Sequence, residues 1–494
     1  MRLTRRGLVT LTVSLPMVGC DASPAAADPW TIRMGVANLP GRLNPIYATD
    51  ALSSRINRLL YRALTDFDQT LRPVPDLARW QQLDSLSWQF ELIDRPRFPD
   101  GQRVSAQDVA ATYRHLLHPA TGSPLRGSLA HIRQVVALSA HRVRFRLQRP
   151  DPLFPERLNI GILPARLLAQ GHDFDAQPFG CGPCRFAHRD AQQVTLRRPD
   201  GVSLQFVRVK DPLVQVLKLR KGELDLVQGG LSPELVNYCA HRPELRVAWH
   251  RGTNFAYLGF NFRDAALRQL PVRRAIAHGI DREAIVRAFF HGHAQLAGSL
   301  LAPTHWAALS DWRGYEYDPE RARMLLHQAG FKRLRLSYKT SANPLRLRLA
   351  AVYQDMLQDC GIDLEIQSFD WGTFYGDIKQ GRFQLYSLAW VGVKSPDIFQ
   401  YVFHSSMTPP AGANRGRYRD AQVDRLIEAA LQAPTEAQQR KLYHALQRRL
   451  AETVAVVPLW YEDQYAVMRQ GLQGYRLYAD GRYDGLLSAT KGFS

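Results

Sequence analysis

Beyond its first twenty residues this sequence has no long apolar run, which excludes a polytopic membrane protein. Its mean hydropathy is −0.28, and 45% apolar residues is ordinary for a globular chain. Catalytic signatures are missing as well. There is no His-Glu-x-x-His, no P-loop, no nucleophile elbow and no dinucleotide fingerprint. Carboxylates and histidines recur in no order, so no residue is assigned a catalytic role. Cysteine is scarce, five in 494 residues, too few for a disulfide framework. Acid is short relative to base: 45 Asp and Glu stand against 64 Lys and Arg, a net charge of +19. Such a field suits anionic ligands, lipid or nucleic acid. Yet the basic residues are scattered, mostly arginine, with no lysine before Lys210 and no recognition motif. Nucleic acid is therefore not an expected partner.

The N-terminus carries the clearest local signal. Arg2, Arg5 and Arg6 precede an apolar stretch over residues 8–18, too short to span a bilayer but suited to a signal peptide over residues 1–19. Met17-Val18-Gly19-Cys20 resembles the bacterial lipobox, in which Cys20 is acylated, leaving residues 20–29 as a linker. Thr4-Arg5-Arg6-Gly7-Leu8 is similar to a twin-arginine signal. Cleavage after Ala25-Ala26-Ala27 is the other reading and would leave a free protein. Either route exports the chain. The expectation adopted is a periplasmic lipoprotein tethered to the inner membrane, with Asp21 as the retention signal.

Cys181-Gly182-Pro183-Cys184 matches a thioredoxin-type redox motif letter for letter. That chemistry needs its first cysteine at a helix N-terminus. Here Arg185-Phe186 leads towards Val194-Thr195-Leu196, an alternating strand pattern. The motif is read as a turn capping a strand, with a local disulfide open to it in an oxidising compartment. Cys239 and Cys360 are read as buried small hydrophobes.

Elements alternate along the chain. Residues 30–36 form a strand, and Ile56, Leu59, Leu60 and Leu64 make a helical stripe. A strand over 87–92 precedes Ser105-Ala106-Gln107-Asp108, a capping box that opens a helix. Strands at 143–147 and 203–209 are followed by a helix at 214–219, ended by Gly222 before the strand Leu224-Asp225-Leu226-Val227. An aromatic strand at 255–262 leads into a long helix over 271–290. Helices at 319–329, 344–358 and 371–379 then alternate with strands at 334–338, 362–367 and 384–390. Two helices, 420–433 and 435–451, and a strand at 454–461 close the pattern. This is α/β architecture.

The order of motifs resembles the bacterial extracellular solute-binding proteins, family 5, which serve dipeptide, oligopeptide and nickel ABC importers. Residues 88–101, ending Phe98-Pro99-Asp100-Gly101, and the following Ser105-Ala106-Gln107-Asp108-Val109 look like the family signature. Residues 180–186 occupy the place of its Gly-Thr-Gly-Pro-Tyr turn, and Lys221-Gly222-Glu223-Leu224-Asp225 matches a strand of the first lobe. The most specific block is Phe260-Asn261 with Pro271-Val272-Arg273-Arg274-Ala275-Ile276 and Gly279-Ile280-Asp281-Arg282. Asp318-Pro319-Glu320-Arg321-Ala322, Gly361-Ile362-Asp363-Leu364 and residues 390–397 continue it in order.

The resemblance implies a two-lobed periplasmic binding protein fold of type II with an additional domain. Lobe 1 is expected from residues 30–62, 180–262 and 462–494, domain II from 63–179, and lobe 2 from 263–461. A two-strand hinge at 257–262 and 458–461 would join them. It further implies a binding component that captures a small solute, a peptide or peptide-like molecule, for a membrane permease and an ATPase, with no cofactor. A nickel or metal-chelate cargo is the alternative within the family. An exported enzyme or a scaffold lipoprotein on the same fold is the alternative outside it.

Candidate ligand residues follow from the segment Trp390-Val391-Gly392-Val393-Lys394-Ser395-Pro396-Asp397. In peptide-binding relatives an aspartate shortly after the tryptophan pairs with the peptide amine, but here Val393 and Lys394 stand in that neighbourhood. A buried ammonium without a carboxylate costs several kcal/mol. The expected solute therefore presents an anionic or neutral end to arginine. Trp390, Gly392, Lys394 and Asp397 are candidates, Trp390 either stacking on ligand or closing a buried strand. Arg415, in Asn414-Arg415-Gly416-Arg417-Tyr418, is the candidate carboxylate clamp, with Tyr418, Asn254 and Tyr257 around it. His291-Gly292-His293 and nearby His305 lack the acids or thiolates of a metal set, so no metal ligand is assigned.

Overall fold

The computed structural model describes residues 30–492. The signal peptide, Cys20 and the linker expected over residues 1–29 lie outside the described residues.

Two long antiparallel strands, Leu245–Phe260 and Val456–Arg469, organise the chain. Towards one end, Leu226–Gln228 pairs with the second of them and carries the sheet on through Thr31–Val36, Ser203–Arg208, Gln193–Arg197 and Arg185–Arg189. Towards the other, Leu385–Trp390 pairs with the first and leads to Leu334–Ser341 and Ile362–Phe369. Ala294–Leu296 adds to Val456–Arg469, completing an 11-stranded sheet shared by two lobes. Within each lobe the inner strands are parallel, as helical crossovers require.

Between the lobes the ladder loses its flanking support. Leu226–Gln228 reaches only residues 466–468, and Leu385–Trp390 joins only from Phe255 onward. In that gap the register shifts between His250 and Asn254. Gly252 sits there because a Cβ would fall 2.0 Å from the Glu462 carbonyl oxygen. Residues 257–260, where the hinge was expected to begin, instead lie in regular pairing with Leu385–Leu388 inside the second lobe.

The first lobe's apolar core runs unbroken from Ile32 and Met34, through Leu59 and Leu60, to Phe90, Phe145 and Phe154. Those last residues belong to or pack on a four-stranded antiparallel sheet built from Ala78–Asp84, Ser87–Leu92, Arg142–Leu147 and Ile132–Ala137. Segment 63–179 therefore shares its core with the first lobe. The second lobe has two clusters, one around Leu258, Ile276, Leu336 and Trp460, the other around Phe255, Tyr257, Phe399 and Tyr461. Each fully buried large side chain in these clusters contributes roughly 1.5–3 kcal/mol to holding its lobe together.

Several motifs have structural jobs. The capping box forms, with Ser105 N–H donating to Asp108 Oδ2 at 2.9 Å. Gly222 ends Pro212–Lys221 at a left-handed φ of 76°. The expected helix over 271–290 is two helices, Leu270–His278 and Arg282–Phe290, broken where Asp281 caps the second by accepting from Ala284 N–H. Arg273 and Arg282 are buried and face carbonyls rather than acids. Arg273 donates to Leu267, Arg268 and Thr453 oxygens, and Arg282 to Ala297, Tyr315 and Pro458 oxygens. Burial lowers both to about 10.

The Cys-Gly-Pro-Cys turn seals the end of helix Ala51–Leu60. Gly182 N–H donates to Leu60 O at 2.9 Å and Cys184 N–H to Leu59 O at 2.8 Å, satisfying two terminal carbonyls. A Cβ on Gly182 would stand 2.3 Å from the Leu60 carbonyl carbon. Cys181, Cys184, Cys239 and Cys360 are buried free thiols. Burial pushes Cys181 up to about 11 and Cys184 up to about 12, the reverse of what a redox nucleophile needs.

Candidate ligand cleft

Two cavities open between the lobes. The larger, about 1280 Å³, is lined by Gln228–Asn237 region residues of the first lobe such as Gly229 and Ser232, by Asn343 to Arg348 of the second, and by Glu462 to Tyr465 of the connecting strand. The smaller, about 750 Å³, is lined by Arg58, Tyr61, Asp66, Glu156 and Arg157 on one side and by Gly392, Lys394, Ser395 and Asp397 on the other. Val391 borders the larger cavity and Gly392 the smaller, so the segment after Trp390 runs along both. Gly392 holds a left-handed φ of 67° at that crossing.

Ion pairs cross between the lobes around these cavities. Lys394 Nζ lies 2.9 Å from Asp480 Oδ2, and Arg157 binds Asp397 while also reaching Asp151. Arg348 meets Glu234 at 2.7 Å and Arg72 meets Glu436 at 2.6 Å. The last two are exposed and worth at most about 1 kcal/mol each. The first two are largely buried. Burial alone would raise the Asp480 carboxyl, but Lys394 and Arg482 hold it well below the usual carboxylate range. His305 supports the same loop: its Nδ1 accepts from Ala307 N–H, so its Nε2 donates to the Lys394 carbonyl at 3.1 Å. Burial lowers His305 to about 4, keeping the ring neutral.

The sequence candidates separate into two groups. Gly392, Lys394 and Asp397 line the smaller cavity, and Asn254 lines the larger with its buried Oδ1 unpartnered. Trp390, half-buried, packs edge-on against Tyr401 and does not line either cavity. Arg415, Tyr257 and Tyr418 also line neither. Arg415 is 9% exposed and donates to Tyr257 Oη at 2.9 Å and Tyr375 Oη at 3.2 Å, with Trp390 4.8 Å from its guanidinium carbon. That stack on an aromatic wall leaves the expected carboxylate clamp inside the second lobe. Tyr418 is core: its ring packs on Phe262, and its hydroxyl meets Thr453 Oγ1 at 2.8 Å. Asp397 is held by Arg157, so it has no free charge for an amine.

Residues outside the set of ligand candidates complete the walls. Trp249 stacks flat on His293 at 3.5 Å, beside His291, Glu462 and Asp463 in the larger cavity. Arg346, from the first turn of helix Pro344–Asp359, pairs with Glu462 at 3.0 Å. Asn343 caps that helix, accepting from Arg346 N–H at 3.2 Å, and lines the larger cavity. Among the described residues no group of His, Cys, Asp and Glu is arranged to hold a metal.

Residues 72–409 match the family described as bacterial extracellular solute-binding proteins, family 5 Middle. The chain belongs to this family. Its relatives include a probable di/tripeptide-binding protein 5 of Pseudomonas aeruginosa, 28% identical and covering 86% of this chain and 89% of its own. A solved structure of NikZ from Campylobacter jejuni in complex with Ni(L-His) superposes with a TM-score of 0.82 at 25% identity, over 94% of this chain and 100% of that one. The oligopeptide-binding protein AppA of Bacillus subtilis, solved with a nonapeptide, gives a TM-score of 0.80 at 22% identity, over 94% and 99%. The fold of this solute-binding protein is thus the two-lobed type II architecture.

Proposed function

We propose that this solute-binding protein captures a peptide or peptide-like solute between its lobes and presents it to the permease and ATPase of an ABC importer. The observation that carries this reading is a cavity of about 1280 Å³ walled by both lobes and by the two strands that join them. It exceeds the roughly 300–1,000 Å³ of ordinary small-molecule sites and suits a short chain of residues. The names of the peptide-binding relatives support the same solute class.

The hinge is the stretch 250–254, which pairs with no strand other than Val456–Arg469 near Glu462. It turns on the register shift at Gly252, while Lys394–Asp480 and Arg157–Asp397 form only when the lobes meet. Binding then shifts an open–closed equilibrium by differential affinity, the mode of hinge closure. Of the expected division into 30–62, 180–262 and 462–494 against 263–461, the boundary within Leu245–Phe260 moves to the hinge, since residues 255–260 pack in the second lobe's clusters, and 63–179 is an appendage on the first core. Membrane tethering through Cys20 rests on the Met17-Val18-Gly19-Cys20 motif.

Thermal-shift screening tests the reading, with di- to pentapeptides, opine-like carboxylates and the nickel–histidine complex as probes. A ligand at 100 times its Kd adds about 2.7 kcal/mol of stability. Stabilisation by peptides supports the proposal; stabilisation by nickel–histidine alone replaces it with the chelate reading.

A further inference from the structure

Three arginines line the larger cavity, and among the described residues Arg55 alone of the three makes no ion pair. Arg346 binds Glu462 and Arg348 binds Glu234, each at 3.0 Å or less. Arg55 stands on helix Ala51–Leu60 and rests on an aromatic ring instead. Its guanidinium carbon lies 5.4 Å from the centre of the Tyr483 ring. One positive charge is thereby left uncompensated at the cavity wall.

Two buried polar atoms belong to the same cavity. Gln464 is 7% exposed and its Nε2 has no hydrogen-bond partner, and the buried Asn254 Oδ1 has none either. Asn254 pairs with Glu462 in the ladder, and Gln464 lies two residues beyond Glu462, so their side chains share one face of the connecting strands. Gly481 brings Arg55 to this face. It holds a left-handed φ of 70°, and a Cβ there would lie 2.6 Å from Arg55 Nη2 and 2.7 Å from Gln464 Oε1. Its bare backbone lets the two side chains meet.

The charge and the two unpartnered atoms select the chemistry of a ligand. A carbonyl oxygen would serve Gln464 Nε2 but leave the Arg55 charge uncompensated. A metal ion would be repelled by that charge. A carboxylate balances it, accepts from the Arg55 fork and from Gln464 Nε2, and leaves Asn254 Oδ1 to accept from an N–H. The last residue of a peptide carries both groups, a terminal carboxylate and its own amide N–H.

We propose that Arg55 and Gln464 form the subsite for the terminal carboxylate of the bound solute, with Asn254 accepting from the adjacent amide. This rests on the peptide reading above and lies in the cavity that carries it. The anionic end expected from the sequence is kept, but it moves from Arg415, caged by Tyr257, Tyr375 and Trp390 in the second lobe, to an arginine of the first.

The test offers purified protein a casein hydrolysate, untreated or methyl-esterified in acidic methanol, and reads retained masses by native mass spectrometry. Wild type is expected to retain the free acids at least 30-fold better than the esters. Arg55→Gln should lose that preference, and Gln464→Leu should reduce it several-fold. Calorimetry of one retained peptide and of its C-terminal amide separates the terminal carboxylate from acidic side chains. Their affinities should differ at least 30-fold in wild type and less than threefold in Arg55→Gln. Equal retention of acids and esters by wild type, an amide that binds as tightly as the acid, or an undiminished preference in folded Arg55→Gln overturns the subsite while leaving peptide capture standing. Retention of neither pool overturns the peptide reading, and the subsite with it.

Discussion

Replacing Lys394 by methionine isolates what one charge contributes to closure. The methionine keeps most of the apolar stem beside the Phe67 ring, which lies 5.3 Å from Nζ, and deletes only the ammonium. Asp480, 4% exposed, then loses the partner at 2.9 Å and keeps only Arg482 at 3.2 Å. Stranding one member of a buried pair costs about 3–5 kcal/mol. With Arg482 remaining, about 2–3 kcal/mol is the appropriate figure. Lys394 belongs to the second lobe, whereas Tyr475, Tyr483 and Leu486 around Asp480 belong to the first core. The cost therefore falls on the closed form, and affinity should drop about 30- to 150-fold. Isothermal titration with a peptide found in the screen measures this, and Asp480→Asn with the double variant isolates the coupling. An affinity within threefold of wild type would refute the claim that this pair belongs to the closed state.

Three further outcomes follow from the same geometry. Glu156 has a raised pKa in the folded chain, so its contribution to stability is present below its ordinary 4.5 and is lost as pH rises through about 8. Glu156→Gln should thus stabilise the unliganded protein by about 3 kcal/mol at pH 7 and leave it unchanged near pH 4, read by urea melts at each pH. His305 is lowered, so its contribution is present above 6.5 and is lost as pH falls towards 4; His305→Gln should flatten that acid loss of about 3 kcal/mol and weaken ligand binding by loosening the Lys394 loop. Gly252→Ala places a Cβ 2.0 Å from the Glu462 carbonyl oxygen, so hydrogen exchange should quicken at residues 250–254 and 462–464 while both lobe cores keep their protection.

The sequence made the lobes legible and the junction between them illegible. Alternation and capping residues located Thr31–Val36, the Ser105–Asp108 box and the alternating elements of the second lobe, because each is decided by local periodicity. The long strands were read short. His250-Arg251-Gly252 breaks the apolar alternation of Leu245–Phe260, and only pairing with Val456–Arg469 makes it extended. Arg415 was read as a cleft residue from its loop, but an aromatic cage of Trp390, Tyr375 and Tyr257, assembled from distant segments, claims it. Glu156 left a trace in the sequence, an acid directly after the apolar run Leu153-Phe154-Pro155. What it faces is tertiary, and no local pattern reports Ser395 across the interface.

Closure around a solute is the central claim, and small-angle scattering tests it most directly. Protein stripped of ligand by unfolding and refolding is compared with the same protein loaded from casein hydrolysate. Loading should reduce the radius of gyration, and Lys394→Met should contract less at the same peptide concentration. Identical scattering curves for stripped and loaded wild type, with peptide demonstrably bound, would contradict it.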